Sequence, residues 1–162
     1  MMNITAYLIL FIIVGIILLA SLIIFLSNYR KRKEKERLEN EFDNFALENK
    51  LSIDKKQTLN KNMIGIDREN MKLIFVDRSN IPQQIELINL NELSSCNLIT
   101  QTNADKGYIS NISVECAFKE TNKPEILLPF YDEGKDNFNK MMRLSKKASY
   151  WEKAINLFRT EN

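Results

Sequence analysis

The longest uninterrupted apolar stretch of the chain lies near its N-terminal end, where positions 4–26 carry no charged side chain. Seventeen of these 23 residues are Ile, Leu, Phe or Val. A helix of that length measures about 34 Å, sufficient to cross a hydrocarbon core of about 30 Å. The pattern therefore predicts a transmembrane anchor over residues 1–28, with residues 4–26 in the lipid bilayer.

A cleaved signal peptide is the alternative interpretation of this stretch. Signal peptides carry positive charge before a shorter apolar segment. Here the apolar run is longer, the residues before it are uncharged, and the basic residues come after it. The order of these features favours a retained anchor.

A helical pattern continues after the anchor. Leu38, Phe42 and Phe45 recur at helical spacing, and oppositely charged residues lie four positions apart beside them. The pattern predicts a helical stalk over residues 29–50. Because its apolar stripe is shorter than the three to four heptads of a coiled coil, packing on the following domain is favoured over pairing with another chain.

The period of the pattern changes to two beyond residue 51, which predicts strands. Residues 62–77 are typical of a β-hairpin, and four further segments read as strands: QQIELINL, SSCNLITQT, ISNISVECAFKE and EILLPFY. Pro129 has no amide hydrogen, so the last strand should lie at a sheet edge or end there.

A second amphipathic helix is predicted to follow, capped by Asp136. Its apolar face, expected to pack on the sheet, comprises Phe138, Met141, Met142, Ser145, Ala148, Trp151, Ile155 and Phe158. The basic side chains Lys140, Arg143, Lys147 and Lys153 fall mainly on the other side. The fold class is thus α+β, with residues 51–162 forming one domain.

Charge determines the expected orientation. Residues 1–29 carry none, while residues 30–37 carry six basic and two acidic side chains. The six bases are Arg30, Lys31, Arg32, Lys33, Lys35 and Arg37. Because Lys and Arg concentrate on the cytoplasmic side of a span, the N-terminus is expected outside and the domain in the cytoplasm, at the inner membrane of the cell.

The same six bases, defined here as the basic cluster, are expected to attract anionic phospholipid headgroups. Nucleic acid is an unsuitable partner, because residues 38–162 carry 17 basic and 19 acidic residues and so present no basic folded part.

The chain contains no histidine, which removes the commonest general base and the usual zinc ligand. Cys96 and Cys116 form no CxxC pair and are expected to be buried free thiols, with a disulfide as the minor alternative. Neither a phosphate-binding glycine motif nor a nucleophile elbow is present. We therefore predict no catalytic, metal-binding or cofactor-binding residues, and no cofactor.

Two polar loops bring charged side chains together, and both are predicted to be ordinary turns. The segment YDEGKD places Asp132, Glu133 and Asp136 together but lacks the ligand spacing of an EF-hand. The segment DREN, between the strands of the predicted hairpin, places Arg68 between two acids.

The order of these elements resembles the pleckstrin-homology-like (PH-like) fold, and in particular uncharacterised bacterial single-pass membrane proteins that carry a PH-like domain. The resemblance covers about residues 55–160 and rests on IGIDRENMKLIFVD, INLNELSSCNL, ISVECAFKE, LPFYD and the Trp-bearing ASYWEKAINLF. It implies a partly open antiparallel barrel of seven strands closed by a C-terminal helix with an inward tryptophan. The pattern supplies six strands, so the seventh must come from LSIDKKQTLN or be absent.

The resulting functional hypothesis is a membrane-anchored binding or scaffold module whose partner is another protein or a second copy of the chain. Two alternatives stay open. One is an enzyme that uses Asp, Glu, Lys or Cys chemistry in a pocket of the domain. The other is a structural element held against the lipid surface.

Overall fold

The computed structural model describes residues 4–79, 82–104 and 107–160. It begins with α1, a single helix from Ile4–Glu48. Within the described residues this is the one helix long and apolar enough to cross a membrane. A helix suited to the predicted anchor is thus present, while its orientation and the identity of the membrane stay predictions.

The end of α1 is closed by backbone hydrogen bonds. The amide of Leu51 donates to the carbonyl of Ala46 (2.8 Å), and Lys50 between them adopts a left-handed conformation with φ 55°. This arrangement satisfies carbonyls that the last helical turn leaves unpaired. The predicted stalk is therefore helical as far as Glu48.

Contacts divide the chain into two units, Met1–Arg37 and Leu38–Asn162. The second, called here the folded unit, contains the final turns of α1, all seven strands and a C-terminal helix. Its start lies within the predicted stalk.

In the part of the chain that the structure describes, seven antiparallel strands form two sheets. Sheet A has four strands in chain order: β1 (Lys55–Thr58), β2 (Met63–Asp67), β3 (Lys72–Asp77) and β4 (Gln84–Asn89). Sheet B has three: β5 (Leu93–Thr102), β6 (Ile109–Phe118) and β7 (Ile126–Asp132). The predicted hairpin and the four later strands are confirmed, and β1 supplies the strand that the apolar pattern did not reveal.

An inner core joins both sheets to α2 (Met141–Thr160). Ile64, Ile66 and Phe75 of sheet A are buried in one cluster with Val114 of sheet B and Trp151 of α2. The inward alternation along β6 is as predicted, with Ile112, Val114, Cys116 and Phe118 all buried. Trp151 also donates its indole N–H to the Gln57 side-chain oxygen of β1 (2.9 Å), so the helix is fixed to both sheets.

An outer core covers the opposite face of sheet A. Leu38, Phe42 and Ala46 of α1 pack on a row of outward side chains from β2 and β3. That row comprises Met63, Ile74 and Val76. Because both faces of these strands are covered, every residue of β2 is buried. The apolar stripe of the stalk thus packs on the domain, as expected.

Gly65 of β2 is required by this packing. A Cβ atom at this position would lie 2.5 Å from Cζ of Phe42, closer than real Cβ contacts approach. Phe42 is fully buried against the strand backbone. Two ion pairs also connect α1 to sheet A. Lys56 of β1 pairs with Asp43 at 2.6 Å, and Arg78, directly after β3, pairs with Glu41 at 3.6 Å.

Asp67 fixes the chain where α1 gives way to the sheet. Its carboxylate accepts hydrogen bonds from the amides of Ser52 (2.7 Å) and Asn70 (2.9 Å) and from the Asn70 side chain (2.7 Å). Burial opposes ionisation of Asp67, but these hydrogen bonds outweigh it and lower the pKa of the carboxyl group below its ordinary value.

The expectation of free thiols is wrong. Cys96 and Cys116 are directly opposite in β5 and β6, with Cα atoms 4.3 Å apart, and form a disulfide within the inner core. Both side chains point inward and are fully buried. Sequence spacing alone does not bring them together, because the pairing depends on the register of the two strands.

The start of the C-terminal helix also differs from the prediction. Asn137, not Asp136, caps the short 3₁₀ turn Phe138–Lys140 that leads into α2. Phe138 and Met142 are 61% and 67% exposed, whereas Leu144 is buried. The predicted stripe is confirmed from Ala148 onward. In the first turn of α2 the buried face contains Leu144 and the partly buried Met141 instead of Met142.

Pro129 lies within β7, an edge strand of sheet B, as one of the two expected outcomes. The strand continues past the proline to Asp132.

We predict that Gly65→Ala and Phe42→Ala are energetically coupled. Gly65→Ala should lower the free energy of unfolding by about 1–3 kcal/mol through overpacking, and Phe42→Ala by about 3–5 kcal/mol. Gly65→Ala should cost markedly less when Phe42 is already Ala, because the clash is gone. Denaturant unfolding of the full chain in micelles, followed by Trp151 fluorescence, measures both.

Leu47→Ala is the matched control, since Leu47 on the same helix is 76% exposed. Additive effects would contradict the described contact.

The disulfide predicts a specific labelling pattern. In the full chain isolated without reductant, neither Cys96 nor Cys116 should react with a maleimide in denaturant until a reductant is added. Mass spectrometry of the two peptides reports the modification. Labelling of both residues by denaturant alone would show that the thiols are free.

Candidate functional site

A polar cleft opens between three segments of the folded unit. These are the loop joining β1 to β2, the end of β3, and the passage from β7 toward α2. Its volume is about 170 Å³, and its lining includes Asn60, Lys61, Asn62, Asp77, Ser79, Tyr131, Asp132, Lys135 and Asp136. A space of this size accommodates several waters or one polar side chain, since liquid water occupies about 30 Å³ per molecule.

Asn62 holds the walls of the cleft together. Its side-chain amide donates to the carbonyl of Pro129 in β7 (3.0 Å), and its oxygen accepts from the amide of Arg78 (3.3 Å). The side chain is nearly fully buried. A single residue of the β1–β2 loop therefore connects sheet A to the edge of sheet B.

Asp136 fixes the opposite wall. Its carboxylate accepts hydrogen bonds from the Asn60 side-chain amide and from the amide of Asp132 (3.1 Å). Lys140 in turn donates to the Asn60 oxygen (2.7 Å). The side chain expected to cap a helix instead joins the β1–β2 loop to the segment after β7.

Tyr131 reaches this region because of a bulge in β7. The register shifts between Ile112 and Ser113, which pair with Tyr131 and Pro129, so Phe130 has no partner of its own in β6. Phe130 and Tyr131 are consequently both buried rather than alternating. Within the described residues, the Tyr131 hydroxyl has no hydrogen-bond partner.

The surroundings of this hydroxyl are polar and acidic. Burial raises the pKa of Tyr131 above its ordinary value, and the nearby carboxylates of Glu133 and Asp136 raise it further. The hydroxyl is therefore protonated at neutral pH and keeps one donor and two acceptor positions. Glu133 itself accepts a hydrogen bond from the Tyr108 hydroxyl.

The cleft is equipped for binding a polar group. Asp77, Asp132 and Asp136 supply negative charge, and Lys61 and Lys135 supply positive charge. Residues 4–79, 82–104 and 107–160 contain no group of three or more carboxylate or thiol side chains placed to hold a metal ion. The arrangement suits a ligand that both donates and accepts hydrogen bonds.

Of the residues singled out in the sequence, Asp132 and Asp136 of the YDEGKD segment line the cleft, whereas the basic cluster and Arg68 lie elsewhere. The basic cluster belongs to α1 in the first unit, where Arg32 pairs with Glu36 at 3.0 Å and Lys33 lies over the Tyr29 ring at 5.3 Å. The segment DREN forms the β2–β3 turn, and the Arg68 guanidinium lies 4.3 Å from the centroid of the Phe158 ring. This turn belongs to the second hairpin, since β1 and β2 form the first.

Asn60, Asn62 and Tyr131 were missed by sequence analysis. The two asparagines fall in a polar stretch whose strand character becomes visible only through its pairing with β2. Tyr131 fits the apolar pattern of a strand, and nothing in that pattern indicates an unpartnered hydroxyl.

Comparison with protein-family models, with curated proteins and with solved structures finds no match to this chain.

We predict that Tyr131→Phe does not destabilise the folded unit. Removing a buried hydroxyl that lacks a partner removes a desolvation cost, so the free energy of unfolding should stay constant or rise by about 1 kcal/mol. Asn62→Ala should lower it by about 1–3 kcal/mol, because the Pro129 carbonyl and the Arg78 amide lose their partner. Denaturant unfolding of the full chain in micelles tests both. A loss above about 1 kcal/mol for Tyr131→Phe would show that the hydroxyl is satisfied.

Proposed function

We propose that the chain is a single-pass protein of the inner membrane whose folded unit is a PH-like module in the cytoplasm. The module binds a protein partner through the polar cleft and acts as a scaffold at the membrane face. Two antiparallel sheets of four and three strands, followed by a helix with a buried tryptophan, support the PH-like assignment.

The observation that carries the binding proposal is the unpartnered Tyr131 hydroxyl beside a polar cleft. Buried polar groups are nearly always hydrogen-bonded, so one left open next to a cleft favours a bound group that completes it. Carboxylates and ammonium groups in the same cleft suit a partner's side chain or chain end, which carries donors and acceptors together.

A protein partner is favoured by the residues that follow the cleft. Phe138 and Met142 are exposed apolar side chains just beyond Asp136 in the chain. Phe and Met are enriched in protein interfaces and add apolar contact to a polar anchor. A second copy of the chain is one partner of this kind, giving a homo-oligomer.

The enzyme alternative has less support. The inner core fills the space between the two sheets with apolar side chains, and the polar cleft is a separate space beside the loops. Its carboxylates are engaged in hydrogen bonds to loop amides and side chains. A scaffold requires only this geometry, whereas catalysis requires a group poised to transfer protons or to attack.

Orientation rests on the basic cluster, because positive charge is retained on the cytoplasmic side. The disulfide is more typical of an extracytoplasmic domain, since cytosolic thiols are generally kept reduced. It is compatible with the cytoplasm because it is buried in the inner core, where soluble reductants reach it only when the unit unfolds. Protease digestion of spheroplasts and of inverted membrane vesicles tests the orientation. We expect the folded unit to be cleaved only in inverted vesicles, and cleavage in spheroplasts would contradict the proposal.

Site-specific photocrosslinking tests the partner. A photoreactive amino acid at Lys61, which lines the cleft, should give one discrete adduct in native membranes. The same amino acid at Lys119, exposed just beyond β6, should not give that adduct. Phe138→Asp should abolish the Lys61 adduct without unfolding the chain, because Phe138 is exposed.

The mass of the adduct distinguishes a second copy from another protein. Absence of any adduct from Lys61, or identical adducts from both positions, would contradict the cleft as a binding site.

A further inference from the structure

The exposed side of α2 carries a regular row of side chains. Arg143, Lys146, Tyr150, Lys153 and Leu157 are all exposed and recur at spacings of three and four residues. They form one stripe along the helix, away from the side that packs in the inner core. Tyr150 borders sheet A, since the Lys55 ammonium lies 4.4 Å from the centroid of its ring. This stripe is called here the outer face of α2.

Positive charge in the folded unit is concentrated on α2. The helix has five basic residues and one acidic residue, whereas residues 38–140 have 12 basic and 17 acidic residues. Three of the five bases lie on the outer face. The net charge of the folded unit is therefore close to zero, although α2 is basic and the rest of the unit is acidic.

The bases of the outer face are available to an external partner. Across residues 4–79, 82–104 and 107–160, no carboxylate lies within salt-bridge distance of Arg143, Lys146 or Lys153. Lys147, which is not on this face, turns inward and donates to the carbonyl of Thr58 (2.6 Å). Burial lowers the pKa of Lys147, and the charge of Arg143 lowers it further.

The composition of the outer face suits a lipid surface. Tyr150 and Leu157 alternate with the bases, and Tyr is enriched at the level of the headgroups. Since the apolar face of α2 packs in the inner core, the attraction to a bilayer is electrostatic, between the Lys and Arg side chains and an anionic surface. The same chain contains a helix suited to span a membrane, which would keep the folded unit close to a bilayer.

We propose that the outer face of α2 is a second membrane-contact surface, which lies against anionic phospholipid headgroups. It is separate from the basic cluster, since the two belong to different units of the chain. The inference rests on the membrane span of the proposed function but not on the polar cleft or its protein partner.

Amine labelling in nanodiscs tests this proposal with the full chain. One chain per disc is inserted into discs of phosphatidylcholine alone or with 30% phosphatidylglycerol, and acetylation rates of individual lysines are measured by mass spectrometry. In the anionic discs, Lys146 and Lys153 should react at least about five-fold more slowly. Sodium chloride at about 0.5 M should restore their rates, because salt screens the attraction.

Two other lysines are internal controls. Lys119, exposed just beyond β6, should react at the same rate in both discs. Lys31, in the basic cluster, should be protected in the anionic discs whether or not α2 contacts the lipid. Protection of Lys31 without protection of Lys146 and Lys153 would overturn the inference while leaving the membrane span intact. Equal protection in both kinds of disc, or protection insensitive to salt, would also overturn it.

A matched pair of charge reversals sharpens the test. Lys146→Glu should reduce the protection of Lys153 by at least about three-fold, because an attractive charge on the outer face becomes repulsive. Lys119→Glu changes the net charge equally and should leave the protection of Lys153 unchanged. Unchanged Trp151 fluorescence verifies that both variants are folded. Equal effects of the two reversals would show that net charge, not the outer face, causes binding.

Discussion

The ring of Phe42 packs on the backbone of β2 at Gly65, and the architecture of the folded unit depends on this contact. Since a Cβ atom at Gly65 would collide with the ring, the strand can be covered only because this residue is glycine. The cover buries both faces of β2 and makes the last turns of α1 part of the folded unit. The single helix α1 therefore extends from the first unit into the folded unit.

Burial on both faces of β2 and β3 explains how a small unit supports a polar cleft at its rim. The inner core packs both sheets against Trp151, and the outer core covers the opposite face of β2 and β3. Asn62 and Asp136 then hold the loops through hydrogen bonds between elements that are already fixed. At the bulge in β7, Tyr131 is buried together with Phe130 and lines the cleft beside these loops. The cleft is thus a consequence of strand register as much as of its side chains.

Sequence pattern predicted the parts of this fold that depend on local periodicity. The apolar run, the hairpin, the alternation along β6 and the stripe from Ala148 each repeat with the period of their element. Sequence pattern did not predict the features that depend on how strands distant in the sequence align with one another. β1 has a polar sequence and is a strand because β2 pairs with it, and Cys96 meets Cys116 because β5 and β6 align them. The cleft was not predicted, because Asn62 and Tyr131 become functional candidates only through contacts between sheets.

Amide hydrogen exchange of the full chain in a bilayer tests most directly whether the end of α1 belongs to the folded unit. Amides from about Ala46 back to Phe42 should exchange as slowly as those of β2 and β3, because they open only when the whole unit unfolds. Phe42→Ala should accelerate exchange in the helix end and in both strands together. If the helix end exchanged rapidly while β2 and β3 stayed protected, the helix would be a separate attachment and the account would be wrong.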